Sequence, residues 1–534
     1  MGTQRPPDPG GEQALRVVVD HDRGPVADVR PLGDGRDPIR AGDADRLAVG
    51  LRIDELGQPV DMDRAGDVAR QVDGLGAAVR SPSRVEDPDV ISTELFRQPV
   101  SSGQELGSGE AGHRGYHTAV NPPEPPSVED APRLAELRAA LPALGAGIYL
   151  NTGTSGPMPA ETAAAMRQID DYLLTVGRGN VDGFVEFQQR LDEARAAAAA
   201  VLTVDVDDIA LTHATTDGMN LAVNGIDWQP GDRAVTTRHE HPGGVGPLYV
   251  QRQRHGIDID FLDIGDGGDH GRVVEAFEAA IDERTKAVVI SHVLWSTGAV
   301  MPVRAIADLA HARGAVVIVD GAQSAGAIPV DVHGLGADAY AIPGQKWLLG
   351  PEGTGALAVT AAGRDRIGPS QAGWFAFERI DSAGDAAFWS SARRYEGTSF
   401  NRALVTGFAR SIGWLSMFVG LPWMHDRAAR MTRLAWDRLT AIDGVDVLTP
   451  ELHRATLLSF RVGGWPAQSV MDELGARVFA IVRVVPQVDA VRLSVGWFTS
   501  EDELDRVIDT VAMLAAHTPE TVPPRRTLTL LEDG

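Results

Sequence analysis

The chain has 534 residues, 43% apolar and 23% charged, a globular composition with enough length for more than one core. Acidic residues outnumber Lys and Arg by 74 to 49, and the resulting net charge of −25 repels phosphate backbones and anionic headgroups, which argues against nucleic-acid and membrane partners. No apolar run reaches the roughly 20 residues of a membrane span, and no basic segment followed by an apolar core opens the chain, so the expected location is the cytoplasm.

Residues 1–125 carry only two aromatics, Phe96 and Tyr116, amid Gly, Pro, Asp and Arg. Short apolar stretches such as Arg16–Val19 and Leu47–Ile53 sustain neither period 2 nor period 3.6, so this part is expected to be disordered or a dispensable extension. The run Asn121–Pro126 (NPPEPP) is a natural boundary, since adjacent prolines favour extended backbone. Folded structure is expected from about Ser127, and Val120 offers an alternative translation start.

From Pro132 onward β-rich runs alternate with helical segments. The strand candidates are Asp208–His213, Arg233–Thr237, Asp258–Ile264, Lys286–Val293, Ala315–Val319, Ala339–Ile342 and Gly355–Val359. Helical patterns cover Glu193–Leu202, Asp217–Val223, Val273–Ile281 and Val303–Arg313. That alternation predicts an α/β fold with a mostly parallel, seven-stranded sheet whose active site lies at the carboxyl ends of the strands. Beyond Asn401 a helix, the short strands Thr456–Val462 and Ala490–Val495, and a last helix Glu501–His517 predict a smaller α+β domain, completed by a helix over Ala131–Leu141. The expected organisation is an N-terminal segment 126–150 joining the small domain, a large domain 151–400, a small domain 401–517 and a tail 518–534.

Cysteine is absent, which excludes disulfides, Cys-ligated metal centres and a cysteine nucleophile; no metal site is expected. Lysine occurs twice, at Lys286 and Lys346. Lys286 opens a strand after a turn and reads as a solvated strand end. Lys346 sits in Ala341–Gly355 (AIPGQKWLLGPEGTG), after a strand and among glycines that let backbone approach a bound group, where an amine can join an aldehyde cofactor. Asp320 ends the apolar strand AVVIV and lies 26 residues before Lys346; it suits a protonated ring nitrogen, though a turn Asp has the same pattern. Thr215 and Thr216 bridge a strand end and a helix start, as a phosphate cradle or a plain N-cap. His241, after the strand Arg233–Thr237, is a flat ring at the same sheet edge, either structural or stacked on a cofactor.

Taken together, Tyr149–Pro159 (YLNTGTSGPMP), Thr215-Thr216, Glu240-His241, Val319–Gly326 (VDGAQSAG), Gly344–Gly355 and Arg394–Thr398 (RYEGT) resemble the class V aminotransferase and cysteine desulfurase superfamily, pyridoxal-phosphate (PLP) enzymes of fold type I. The resemblance spans about Tyr149 to Val511. It implies that Lys346 forms the Schiff base with the cofactor, Asp320 pairs with its ring nitrogen, Gln323 bonds its phenolic oxygen and His241 stacks on its ring. It also implies that Thr215, Thr216 and Gln345 hold the phosphate, together with Thr398 from a partner subunit, hence a homodimer. Arg483 and Arg492 correspond to residues that grip a substrate carboxylate, for which a guanidinium fork is suited; salt bridging within the small domain is the alternative.

Three departures matter. A desulfurase that carries sulfur on a cysteine cannot operate in a chain without one. Trp295 in Ser291–Gly298 (SHVLWSTG) stands against the cofactor where many relatives have Asn. Pro343 and Gln345 replace Ser and His of relatives, which predicts a weaker phosphate site. The stretch around Trp295, the EHPG run from Glu240 and the nine-residue spacing of the two arginines are most similar to cystine C–S lyases, with isopenicillin N epimerase-like proteins nearby. The expected function is β-elimination from a sulfur amino acid such as cystine. Transamination, epimerisation and a binding scaffold without turnover are the alternatives.

Overall fold

The structure, a computed structural model, describes residues 130–397 and 399–525. The expectations for residues 1–125, the Pro-rich boundary and Thr398 lie outside the described residues. The described chain opens with helix α1 (Asp130–Ala139), strand β1 (Ile148–Tyr149) and helices α2 (Ala160–Val176) and α3 (Val181–Leu202). Seven strands then alternate with helices: β2 (Ile209–Thr212), α4 (Thr215–Asn224), β3 (Arg233–Thr237), α5 (Pro242–His255), β4 (Asp258–Leu262), α6 (His270–Ala280), β5 (Thr285–Ser291), α7 (Val303–Ala312), β6 (Val316–Asp320), β7 (Ala339–Pro343) and β8 (Gly355–Val359). They form one sheet of order β2-β8-β7-β6-β5-β3-β4, parallel except for β8, which runs antiparallel to both neighbours.

Apolar residues at both phases of period 2 explain why the inner runs are strands buried on both faces, while β4 at the sheet edge is only half-buried. In β6, Val317 and Val319 face a core built with Phe187 and Leu191 of α3, Phe277 of α6 and Ile306 of α7. Val316 and Ile318 face the opposite core, with Met219 and Leu221 of α4 and Leu248 of α5. Helix α5 was not among the helical patterns. Its start is Gly-rich and Pro247 lies inside it, so its apolar periodicity is weak.

Past the sheet, helix α8 (Arg402–Trp414) sends Phe408 and Ile412 into the first of these cores, and α9 (Leu421–Thr440) follows at a sharp bend. Among the described residues no single helix is long and apolar enough to cross a membrane. Strands β9 (Val445–Val447) and β10 (Leu457–Val462), helix α10 (Ala467–Val478), β11 (Ala480–Ile481), β12 (Arg483–Val485), β13 (Ala490–Ser494) and helix α11 (Glu501–Ala515) complete the smaller α+β part. Its antiparallel sheet has the order β9-β10-β13-β12. β1 pairs in parallel with β11, Leu137 packs with Trp414 and Trp497, and Arg138 forms a two-point ion pair with Glu503.

One buried ion pair ties the sheet to the segment 391–397. Arg195 of α3 (1% exposed) donates through Nε and Nη2 to Glu396 (0% exposed) at 2.8 and 2.6 Å. Glu396 Oε1 also accepts from the Leu211 amide of β2. Removing Glu396 leaves the buried Arg195 with only the exposed Asp192, at 2.6 Å from Nη1, to balance its charge. Glu396→Ala is expected to lower the unfolding free energy by about 3–5 kcal/mol in a urea titration. Asp308→Ala, which breaks the exposed Arg304–Asp308 pair, should change it by less than about 0.5 kcal/mol.

Candidate active site

The carboxyl ends of β3, β5, β6 and β7 converge, and the turns after them carry the chemistry. Asp320 is the last residue of β6 and pairs in register with Ser291 of β5 and Ala341 of β7. It is 6% exposed, and its Oδ1 accepts from the Ala322 amide at 2.9 Å. Burial pushes its pKa up, and the positive charge of Lys346 opposes that rise. Lys346, partly buried just beyond β7, is the counterpart. Desolvation lowers its pKa to about 8; Asp320 pulls upward, while Arg492 and Arg483 push further down.

Turns and glycines fix the rest. His241 caps α5, its Nδ1 accepting from the Gly243 amide at 3.0 Å, so that nitrogen carries no proton. Burial and the charges of Lys346, Arg483 and Arg492 lower its pKa to about 4, which keeps the ring neutral. Trp295 meets His241 edge-on at 5.1 Å between ring centroids. Gln323 is held by both amide atoms: Nε2 donates to the Gly153 carbonyl at 2.9 Å and Oε1 accepts from Trp347 at 3.0 Å. One N–H of that amide remains for a ligand.

The two arginines lie directly opposite each other in the β12–β13 register. Arg492 is 0% exposed, yet only Nη1 finds a partner, the Trp295 carbonyl at 2.9 Å; Nε and Nη2 have none among the described residues. Desolvation, then Arg483, lowers its pKa to about 9. Arg483 donates to Thr154 Oγ1 at 3.1 Å and lies 5.8 Å above the Trp295 ring. Neither contacts a carboxylate in the described residues, so salt bridging does not account for them.

Three features were given no individual role from the sequence, although Glu240 and residues 153–156 lie within the motifs that carry the resemblance. Glu240 is a buried carboxyl that accepts from Thr237 and Ser291, and burial raises its pKa to about 7. The segment 153–156 closes over Lys346: the Gly156 amide donates to the Gln345 carbonyl at 2.7 Å, and a Cβ on Gly156 would come within 2.3 Å of the Lys346 carbonyl. Ser494 shares the Arg492 face of β13. The Gly and Ser residues involved carry no charge or periodicity that marks them in a sequence.

A mostly parallel sheet with an acid at the end of one strand and a lysine just beyond its neighbour, a ring-bearing loop and a helix N-terminus at one edge defines a fold type I PLP enzyme. The chain belongs to the aminotransferase class-V family, whose sequence model matches residues 148–507. It is 27% identical over 400 residues to a probable cysteine desulfurase of Methanothermobacter thermautotrophicus, covering 72% of this chain and 98% of that one. It is also 27% identical to the isopenicillin N epimerase of Streptomyces clavuligerus, covering 69% and 94%. Among solved structures it is similar to the cystine C–S lyase C-DES in complex with its product cysteine persulfide, at 26% identity and a TM-score of 0.66, covering 70% of this chain and 99% of the other. A lysine-to-alanine mutant of C-DES with glycine covalently linked to the PLP cofactor gives 25% identity and a TM-score of 0.67.

The cofactor is pyridoxal phosphate, and the residues present fit it. Helix α4 starts at Ala214 without a side-chain cap, leaving free amides where a phosphate can bind. Thr215 Oγ1 is buried without a partner in the described residues, a hydroxyl free to donate to a phosphate oxygen. The glycines that begin α5 keep space open: a Cβ on Gly243 would come within 2.3 Å of Thr216 Oγ1, and one on Gly244 within 3.0 Å of Asp320 Oδ2. The lowered pKa of Lys346 sets a measurable pH. An amine attacks an aldehyde in its neutral form, so cofactor uptake by the cofactor-free protein should accelerate as pH rises through about 8, rather than near 10.5, the ordinary lysine value. Stopped-flow absorbance against pH reads that midpoint.

Proposed function

We propose that the enzyme is a PLP-dependent lyase that β-eliminates sulfur from cystine or a related sulfur amino acid. The observation that carries this reading is the absence of cysteine from the whole chain. A leaving sulfur has no enzyme thiol to receive it and must depart as a small molecule, as it does for the C–S lyase whose product is cysteine persulfide.

Bound PLP supplies the electron sink for the carbanion at Cα. With the cofactor bound, Asp320 would hold the proton of its ring nitrogen, Gln323 its phenolic oxygen and His241 its ring, while Thr215, Thr216 and Gln345 would hold its phosphate. Arg492 would bind the substrate α-carboxylate through Nε and Nη2, the two nitrogens of its fork without partners in the described residues. The Lys346 amine would take the Cα proton through Nζ, and its lowered pKa of about 8 keeps a neutral fraction near neutral pH. The Cβ–S bond then breaks with its electron pair on sulfur, and hydrolysis yields pyruvate and ammonia. Trp295 walls the site and orients both arginines through its carbonyl and its ring. Arg483, uncompensated and partly buried, suits the second carboxylate of a cystine-like substrate.

A homodimer fits this reading. Leu174, Val181, Phe184 and Val185 leave apolar surface exposed on α2 and α3, as a subunit contact requires. The cysteine-free, acidic composition suits an enzyme of the cytoplasm that binds neither nucleic acid nor membrane. Incubation of the holoenzyme with cystine should release pyruvate, and Lys346→Ala should reduce release at least about 1000-fold, the loss of both attachment and base. Keto acid formed only with an amino acceptor, or a change of configuration without pyruvate, would instead assign transamination or epimerisation.

A further inference from the structure

Strand β13 alternates cleanly. Val491 and Leu493 enter the core of the smaller part, so Arg492 and Ser494 share the other face. Both are fully buried there. The Ser494 backbone is satisfied, its amide donating to the Leu150 carbonyl at 2.8 Å. Its hydroxyl is not: Ser494 Oγ has no hydrogen-bond partner among the described residues, like Nε and Nη2 of Arg492 beside it. These atoms border one space. A Cβ placed on Gly153 would lie 3.0 Å from Ser494 Oγ, 3.0 Å from Arg492 Nη2 and 2.9 Å from Gln323 Oε1. Ser494 Oγ and Arg492 Nη2 are therefore neighbours that converge on the Gly153 backbone, where no side chain fits between them. A buried cation and a buried hydroxyl, both with donors to spare and no anion in reach, carry a desolvation cost that a bound carboxylate relieves.

We infer that Ser494 is a further substrate-binding residue, its hydroxyl donating to the α-carboxylate that Arg492 grips. This rests on reading Arg492 as the carboxylate anchor. A carboxylate has about four acceptor positions; the free edge of Arg492 fills two and Ser494 a third. The serine thereby fixes the carboxylate's rotation as well as its position.

The test is an absorbance titration of the full-length holoenzyme with L-alanine, with ethylamine as the same skeleton lacking the carboxylate. Ser494→Ala removes one oxygen and keeps the backbone bond to Leu150. It should weaken L-alanine binding about tenfold or more, the loss of a hydrogen bond to a charged group, with the ethylamine response and melting temperature unchanged. Acetate, which competes through its carboxylate alone, should lose affinity by a similar factor. Unchanged L-alanine affinity, or equal weakening for L-alanine and ethylamine, overturns the assignment. Because alanine carries no sulfur leaving group, this outcome is independent of C–S cleavage, which pyruvate release from cystine reads separately.

Discussion

The site depends on one imbalance of charge. Lys346 stands between a single buried carboxylate, Asp320, and two guanidiniums, Arg483 and Arg492, in surroundings that desolvate its amine. Burial and the arginines favour the neutral amine, and Asp320 favours the cation. The balance places the amine near the pH at which it can both attack an aldehyde and accept a proton. Burial first, and the same positive surplus second, keep His241 neutral, so the ring presents an uncharged face, and Arg492 is left with donors for an anion that the described residues do not supply.

The fold makes this arrangement rigid. Register between adjacent strands of a parallel sheet places Ser291, Asp320 and Ala341 side by side, and the turns that follow each strand must then share one edge. The smaller part adds the arginines from an antiparallel pair whose opposite face is packed apolar core. Trp295 joins the two parts, accepting from Arg492 through its carbonyl and facing Arg483 and His241 with its ring. The positions of cofactor-facing and substrate-facing groups are thereby linked through a side chain that is itself buried.

Much of this was legible in the residues. Six of the seven strands are apolar runs buried on both faces, a pattern with few alternatives, and Lys346 stood out because the chain retains so little lysine. Asp320 gained meaning from its place at the end of the most apolar strand. Other features leave no mark. The reversed direction of β8 does not alter its apolar pattern, and α5 begins on glycines kept small by Thr216 and Asp320, which erase the helical signal. β9 and β12 are only three residues long. The unpaired donors of Arg492 and Ser494 and the buried carboxyl of Glu240 arise from contacts between segments distant in sequence, which no local pattern encodes.

The central claim is that the Lys346 amine is the group joined to the cofactor. Borohydride reduction of the holoenzyme followed by peptide mapping tests it directly. The account predicts a reduced pyridoxyl adduct on the peptide containing Lys346 and none on the peptide containing Lys286. An adduct at Lys286, or no adduct in a protein that retains bound cofactor, would contradict it.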